Sequence, residues 1–389
     1  MTITIAVLKE TQQHEKRVAL VPDIVPRLIK LGCAVRMETG AADAIKLPAD
    51  AYADVAMMAD RATLLADADI VLAVQPPDAA TIEMIKPGAI LVCFVYPDSA
   101  KAQVKSLLKR KITCFAMESV PRISRAQSMD ALSSQSSLAG YYGVELGATL
   151  LNRILPRMTT AAGVIGPAKV LVMGLGVAGL QAIATAHRLG ALVEGYDVRP
   201  ETAEQAASLG ATFVSTGIDA RGEGGYAREL SADEKAKVAK VLTDHIQDAD
   251  LIITTAAIPG RPSPKLISKD QITGMKPGSV IVDLSAEGGG NCEASSPGKT
   301  THVGLVTIIA PLNVPSMLAR DASALYAKNQ YNLLALILKD GAIAIDWDDA
   351  VLTGTALTHD GKLVADPVDA DKASPTDADK STPPDAKAA

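Results

Sequence analysis

Gly174, Gly176 and Gly179 stand in G-x-G-x-x-G spacing between an apolar run, Val170 to Met173, and an alanine-rich stretch from about Ala178 to Leu189. A second apolar run, Leu192 to Tyr196, ends at Asp197, 18 residues after the last of these glycines. That order spells a strand, a tight turn, a helix and a second strand, and its chemistry is dinucleotide binding. Gly174 makes the turn, Gly176 lets the main chain approach a pyrophosphate, and Gly179 lets helix and strand pack closely. The helix start adds N–H groups without internal partners and the positive end of the helix dipole. Asp197 accepts hydrogen bonds from both hydroxyls of an adenosine ribose and repels a 2′-phosphate, which favours NAD(H) over NADP(H). Arg199, two residues on, is a cation that pulls the other way.

The other concentration of polar chemistry is PRISRAQSMDALSSQ, residues 121–135. One reading is a capped helix start served by Ser128 and Asp130. The other sets Arg122, Gln127 and Asp130 at the mouth of a cleft between two domains. A nicotinamide carboxamide needs both a donor and an acceptor, and its ribose needs acceptors. Gln127 and Asp130 supply these, while Arg122 pairs with Asp130 or reaches a phosphate. A third stretch, GEGGY at 222–226, is either a lid with Tyr226 at its tip or an exposed irregular loop. His14, His187, His245, His302 and His359 fall in no catalytic array. Cys33, Cys93, Cys114 and Cys292 are scattered without C-x-x-C spacing, so they read as buried reduced thiols and no metal site is expected.

Elements that position these groups alternate along the chain. Residues 3–8 open with a strand, and Lys9 to Arg17 form a polar loop. A helix over 22–31 is stopped by Gly32, and strands follow at 35–38, 70–74, 89–96 and 112–117. Strands alternating with helices give an α/β fold with parallel sheets. The sequence also echoes itself: DADIVL at 67–72 leads to KPGAILV at 86–92, and DADLII at 248–253 leads to KPGSVIV at 276–282. The expectation is two Rossmann-like domains joined by two long helices, at roughly 128–155 and 314–338. The first domain takes residues 1–135 plus 315–365 and the second, NAD(H)-binding, takes 140–312. Residues 366–389, rich in Asp, Ala, Pro and Lys, hold too little apolar surface to fold. A net charge of −6 argues against nucleic acid, and no apolar run approaches the roughly 18 residues that cross a bilayer. The N-terminus, MTITIAVLKE, has no secretory pattern, which fits a cytoplasmic protein.

PRISRAQSMD, with GLGVAGLQAIATA at 174–186 and GGYA at 224–227, resembles the NAD(H)-binding domain I, or α1 subunit, of proton-translocating NAD(P) transhydrogenase. The resemblance implies a homodimer on the cytoplasmic face that docks on a membrane-spanning domain II and an NADP(H)-binding domain III, touching the membrane only through them. It implies hydride transfer directly between two nicotinamides, coupled to proton movement through domain II. By the family pattern, Arg122, Gln127, Asp130 and Ser133 hold the nicotinamide end. Val177, with Asp197, Val198 and Arg199, holds the adenosine end, and Gly225 and Tyr226 belong to a mobile loop. Ala257 stands where the pattern has leucine. The chain carries no domain II or III, which resembles the bacterial arrangement with domain I as a separate polypeptide.

Alanine dehydrogenase shares the KE…KRVALVP pattern, here Lys9, Glu10 and Arg17 to Pro22, and is the alternative. That activity needs a lysine and a histidine at its keto-acid site, and here Gln75 and Tyr96 align with them. Without a cationic carbonyl polariser and an acid/base group near neutral pH, amino-acid oxidation loses its proton chemistry. Hydride exchange between nicotinamides needs neither. A non-catalytic NADH-sensing role is the remaining alternative.

Overall fold

The computed structural model describes residues 2–218, 228, 230–258, 261–339 and 341–364. These build two large, mostly parallel sheets. The first uses β1 (Ile3–Val7), β2 (Cys33–Glu38), β3 (Ala56–Met58), β4 (Ile70–Leu72), β5 (Ile90–Cys93) and β6 (Thr113–Ala116). Their order is β3-β2-β1-β4-β5-β6, with two antiparallel strands from Ala356–His359 and Lys362–Leu363 added beyond β6. A small hairpin, β7 (Met158–Thr160) and β8 (Gly163–Ile165), comes next. The second sheet uses β9 (Lys169–Met173), β10 (Leu192–Tyr196), β11 (Thr212–Phe213), β12 (Leu251–Thr254), β13 (Val280–Asp283), β14 (Thr300–Val303) and β15 (Val306–Ile309). Its order is β11-β10-β9-β12-β13-β15-β14, with β14 antiparallel at the edge.

Both faces of each sheet are buried, as parallel sheets require. On β1, Ile3, Ile5 and Val7 enter one core while Ala6 enters the opposite one. On β9, Val170 and Val172 face one core and Leu171 and Met173 the other. The sequence echo has a physical basis. Asp69 closes D-A-D in the first domain and accepts a hydrogen bond from the Thr4 N–H at 2.9 Å. Asp250 does the same in the second, accepting from the Lys169 N–H at 2.8 Å. Each aspartate thus pins the start of its sheet's central strand. The lysine of each K-P-G faces it, Lys86 at 2.7 Å from Asp69 and Lys276 at 3.8 Å from Asp250.

Two long helices join the domains, with bounds narrower than the apolar pattern suggests. The first, α1 (Ala131–Leu150), begins at Asp130, whose Oδ1 accepts from the Ser133 N–H at 2.8 Å. Ser128 lies in the preceding 3-10 segment Ser124–Met129 and does not cap the helix. Leu151 turns extended and ends it, so residues 151–155 lie outside. The glycine-motif helix, α2, spans Val177–Arg188. The returning helix starts as a 3-10 turn, Val314–Leu318, and becomes α3 only over Ala319–Ile337. Asn313 just before it is left-handed and Pro315 withholds an N–H, so the first turn is not α-helical. Tyr326, Leu333, Leu334 and Ile337 of α3 sink into the first domain's core. On the other side, α1 lies against the second domain: Gly143 meets Leu284, Gly147 meets Leu251, and a Cβ on Gly140 would overlap the Ala178 carbonyl of α2. The 366–389 stretch lies outside the described residues, where no helix is long and apolar enough to cross a membrane.

In open sheets of this order, ligands bind at the carboxyl ends of the strands where the order reverses. In the first domain that point lies between β1 and β4, and Glu10 closes it. Its carboxyl accepts from the N–H groups of Val74 at 2.6 Å and Gln75 at 3.3 Å. Gln12 ties the same loop to the Pro76 carbonyl at 3.2 Å. Burial pushes the Glu10 carboxyl up to about 8, against the pull of the Val74 amide. The native state therefore binds a proton that the unfolded chain has released.

Two outcomes follow from this packing. Gly140→Ala forces α1 away from α2 and lowers stability by about 1–3 kcal/mol, read by chemical denaturation. A variant as stable as the parent would show that the helices do not meet there. For Glu10, the raised value makes stability fall as pH rises from about 4.5 to about 8. Glu10→Gln, neutral throughout, loses this fall, so denaturation midpoints of variant and parent diverge progressively with pH. Parallel midpoints would place an ionised Glu10 in the native state.

Candidate functional site

The three motif glycines meet their assigned demands. Gly174 ends β9 with φ +94, and a Cβ there would lie 2.7 Å from the Ala256 nitrogen. At Gly179 a Cβ would collide with the Gly174 carbonyl, so helix and turn close only on glycine. Gly176 is the N-cap of α2 and has open space where its Cβ would be. A pyrophosphate fits that space, with first-turn N–H groups of α2 pointing at it. Val177, the first residue of the helix, is exposed beside it.

Asp197 follows β10 with its carboxylate nearly buried. One oxygen accepts from the Leu175 N–H at 2.7 Å, which ties the glycine turn to the end of β10. Arg199 donates three further bonds, from N–H, Nε and Nη2, each at 2.9 Å. Four donors fill a carboxylate's accepting capacity. Ribose hydroxyls therefore reach Asp197 only when the Arg199 guanidinium gives way. Val198, between them, packs against the sheet's core.

The 121–130 segment is an exposed loop on buried anchors. Ala126 and Met129 are inside, while Arg122 and Gln127 are exposed. From beneath, Asn329 and Asn332 of α3 donate to the Ser128 carbonyl at 2.9 and 2.8 Å. From the side, Arg125 makes a two-pronged ion pair with Asp349, at 2.9 and 2.5 Å. Gln127 is thus presented by a loop fixed on two sides. Asp130 uses both carboxylate oxygens on Ser133, N–H at 2.8 Å and hydroxyl at 2.5 Å, so the capped-start reading holds for this pair. The helix that Asp130 caps reaches the glycine site: Gly140 meets Ala178 ten residues later, about 15 Å along α1 at 1.5 Å per residue. One rigid helix therefore sets the distance between the loop and the phosphate cradle.

Ala257 is exposed after β12, next to a main-chain segment that Asn291 holds. The buried Asn291 amide accepts from the Ala256 N–H at 3.0 Å and donates to the Ala256 and Pro264 carbonyls at 2.8 Å. Gly225 and Tyr226 lie outside the described residues. Asn291, Asn329 and Asn332 escape a reading of the sequence, because a lone asparagine has no spacing signature.

At the two positions that distinguish an amino-acid dehydrogenase, neither side chain titrates near neutrality. Gln75 donates to Glu15 at 2.9 Å, and the Tyr96 ring stacks on Phe94 at 5.6 Å between centroids. Tyr96 is left-handed, φ 52, with its N–H held by Glu118 at 2.6 Å. Behind them Arg17 faces Glu15 at 2.6 Å, both buried. Burial opposes the Glu15 charge, yet bonds from Arg17 hold its carboxyl down at about 2.

Comparison with known proteins accords with this geometry. The family profile "Alanine dehydrogenase/PNT, N-terminal domain" matches residues 6–139, and "Alanine dehydrogenase/PNT, C-terminal domain" matches residues 143–366. The first of the polypeptides that make up NAD(P) transhydrogenase subunit alpha in Rhodospirillum rubrum is 46% identical over 373 residues, covering 92% of this chain and 97% of its own. The solved transhydrogenase from Sinorhizobium meliloti superposes with a TM-score of 0.82 at 40% identity, over 94% of this chain and 99% of that one. Alanine dehydrogenase of Halomonas elongata is 31% identical over 376 residues, covering 92% of this chain and 94% of its own. The chain belongs to the alanine dehydrogenase/PNT family and stands nearer in sequence to NAD(P) transhydrogenase subunit alpha than to that alanine dehydrogenase.

Proposed function

We propose that this chain is the NAD(H)-binding component of a proton-translocating NAD(P) transhydrogenase. NADH lies along α1, its pyrophosphate at Gly176 and its nicotinamide end at Gln127. The observation that carries this reading is the α1 ruler. It places a fixed, exposed carboxamide about 15 Å from the first turn of α2, within the reach of an extended dinucleotide.

Bound NADH supplies the hydride, and the residues of this chain supply position. Gln127 orients the carboxamide so that one ring face is presented outward, to an NADP⁺ held by a partner subunit. Arg122 and Asp130 hold the loop and the ribose, with Ser133 next to them. Asp197 to Arg199 and Val177 take the adenosine end, and Ala257 lines its side. The lid role of Gly225 and Tyr226 rests on the family pattern alone. Rate then comes from bringing two rings to near-attack distance away from water, and no acid or base is needed at the reacting carbons. Gln75 and Tyr96 fit that economy and do not fit the proton chemistry of alanine oxidation. Proton movement belongs to a membrane-spanning partner, against which this subunit sits on the cytoplasmic side. A homodimer is supported by the β7–β8 hairpin. Its Met158, Val164 and Ile165 are exposed on a two-stranded ribbon that is marginal in water without cover.

Gln127→Asn, one methylene shorter, is expected to slow single-turnover hydride transfer to NADP⁺ on the partner subunit by about a hundredfold. NADH affinity, read by nucleotide fluorescence, changes little. An equal loss in both would make Gln127 a binding group with no orienting role.

A further inference from the structure

The chain crosses between the domains twice, and both crossings are gripped by one ion pair in the loop after β1. Arg17 donates from Nη1 to Gln135 of α1 at 2.8 Å, holding the outward crossing. On the return crossing, the Ser316 hydroxyl donates to Glu15 at 2.6 Å, and the Lys16 N–H donates to that hydroxyl at 3.1 Å. Asn313 contributes more. Its Nδ2 donates to Glu15 at 3.0 Å and to the His14 carbonyl at 3.2 Å, while its Oδ1 accepts from Arg17 at 3.4 Å. Those are bonds to the first domain. Its own N–H donates to Glu287 at 2.8 Å, and Glu287 sits just past the end of β13, on the carboxyl edge of the second domain's sheet. Asn313 is left-handed, with φ 45 and ψ 53, a conformation that costs an ordinary residue and persists where its surroundings impose it.

We infer that Asn313 is a positioning residue: a latch, clasped by Glu15 and Arg17 on one side and by Glu287 on the other, that fixes the opening between the two domains. Its side chain belongs to one domain's network and its main chain to the other's. Any opening or closing of the cleft must therefore break one set of bonds. A single residue between the domains, bonded to both, sets their separation more tightly than packing of the linker alone. The glycine site lies in the second domain and Gln127 on the loop anchored by the first. The consequence for the nucleotide, which rests on the function proposed above, is that NADH meets both ends of its site only at the latched opening. A nucleotide confined to the second domain, such as 5′-AMP, is indifferent to the latch.

Spin labels at Met84→Cys and Leu305→Cys, exposed residues in different domains, report the opening by pulsed electron resonance, and the four natural cysteines are buried. The parent gives one narrow distance distribution. Asn313→Gly keeps the left-handed backbone and loses the clasp, so the distribution broadens. Glu287→Ala broadens it as well, and Glu287→Gln, which still accepts from the Asn313 N–H, restores it. If the competent opening falls to about a tenth of the population, the Kd for NADH rises about tenfold while that for 5′-AMP is unchanged. Unchanged distances in Asn313→Gly and Glu287→Ala overturn the latch, whatever the nucleotides do. Broadened distances with unchanged NADH affinity leave the latch standing and remove the reading in which NADH bridges the domains. Glu287→Gln behaving like Glu287→Ala overturns the hydrogen-bond basis of the latch.

Discussion

Glu15 and Arg17 are paired out of contact with water, and much else in the molecule depends on how that pair is satisfied. Two desolvated charges repay their burial only when every remaining donor and acceptor finds a partner. Here the partners come from distant parts of the chain: Gln75 after β4, Gln135 on α1, Asn313 and Ser316 at the head of the returning helix. Gln135 in turn donates to the Ala322 carbonyl of α3 at 3.1 Å, which joins the two long helices. A loop that reads as merely polar thus ties both connections to the first sheet. Removing either charge would leave the other buried without compensation, at a cost of about 3–5 kcal/mol, and would release both connections at once.

The same strand–loop–helix–strand unit occurs twice, and the two copies have opposite fates. In both, an aspartate pins the central strand and a K-P-G turn starts the next one. In the first copy the crevice at the strand ends is filled by the Glu10 carboxyl, which occupies N–H groups that a phosphate would use. In the second, Gly176 leaves that crevice open. A shared fold therefore does not imply two nucleotide sites; the side chain at one position separates a structural half from a binding half.

Much of this is legible in the sequence, for physical reasons. Buried parallel strands print as apolar runs, and the glycine motif prints because three tight approaches forbid a Cβ. The D-A-D and K-P-G echo prints because the same two bonds recur. Gln127 stands out through its company of arginines and serines. What stays hidden depends on contacts across great sequence distance. Asn313 meets Glu15 across nearly 300 residues, and Asn332 meets Ser128 across about 200. Neither has periodicity or spacing that a linear reading detects. The ends of α1 fall short of the sequence pattern for a related reason. Its apolar pattern runs past Leu150, while the stops are set by the Asp130 cap and by the extended turn at Leu151.

The central claim is that this chain presents NADH to a second nicotinamide held elsewhere. The measurement that tests it most directly is single-turnover oxidation of NADH labelled with deuterium at C4, with NADP⁺ as acceptor. It is run with and without the NADP(H)-binding subunit, beside a reaction supplied with pyruvate and ammonium. The account predicts deuterium in NADPH only when the subunit is present, and no oxidation by pyruvate and ammonium. Label in alanine with this chain alone would contradict it and make the protein an amino-acid dehydrogenase despite Gln75 and Tyr96.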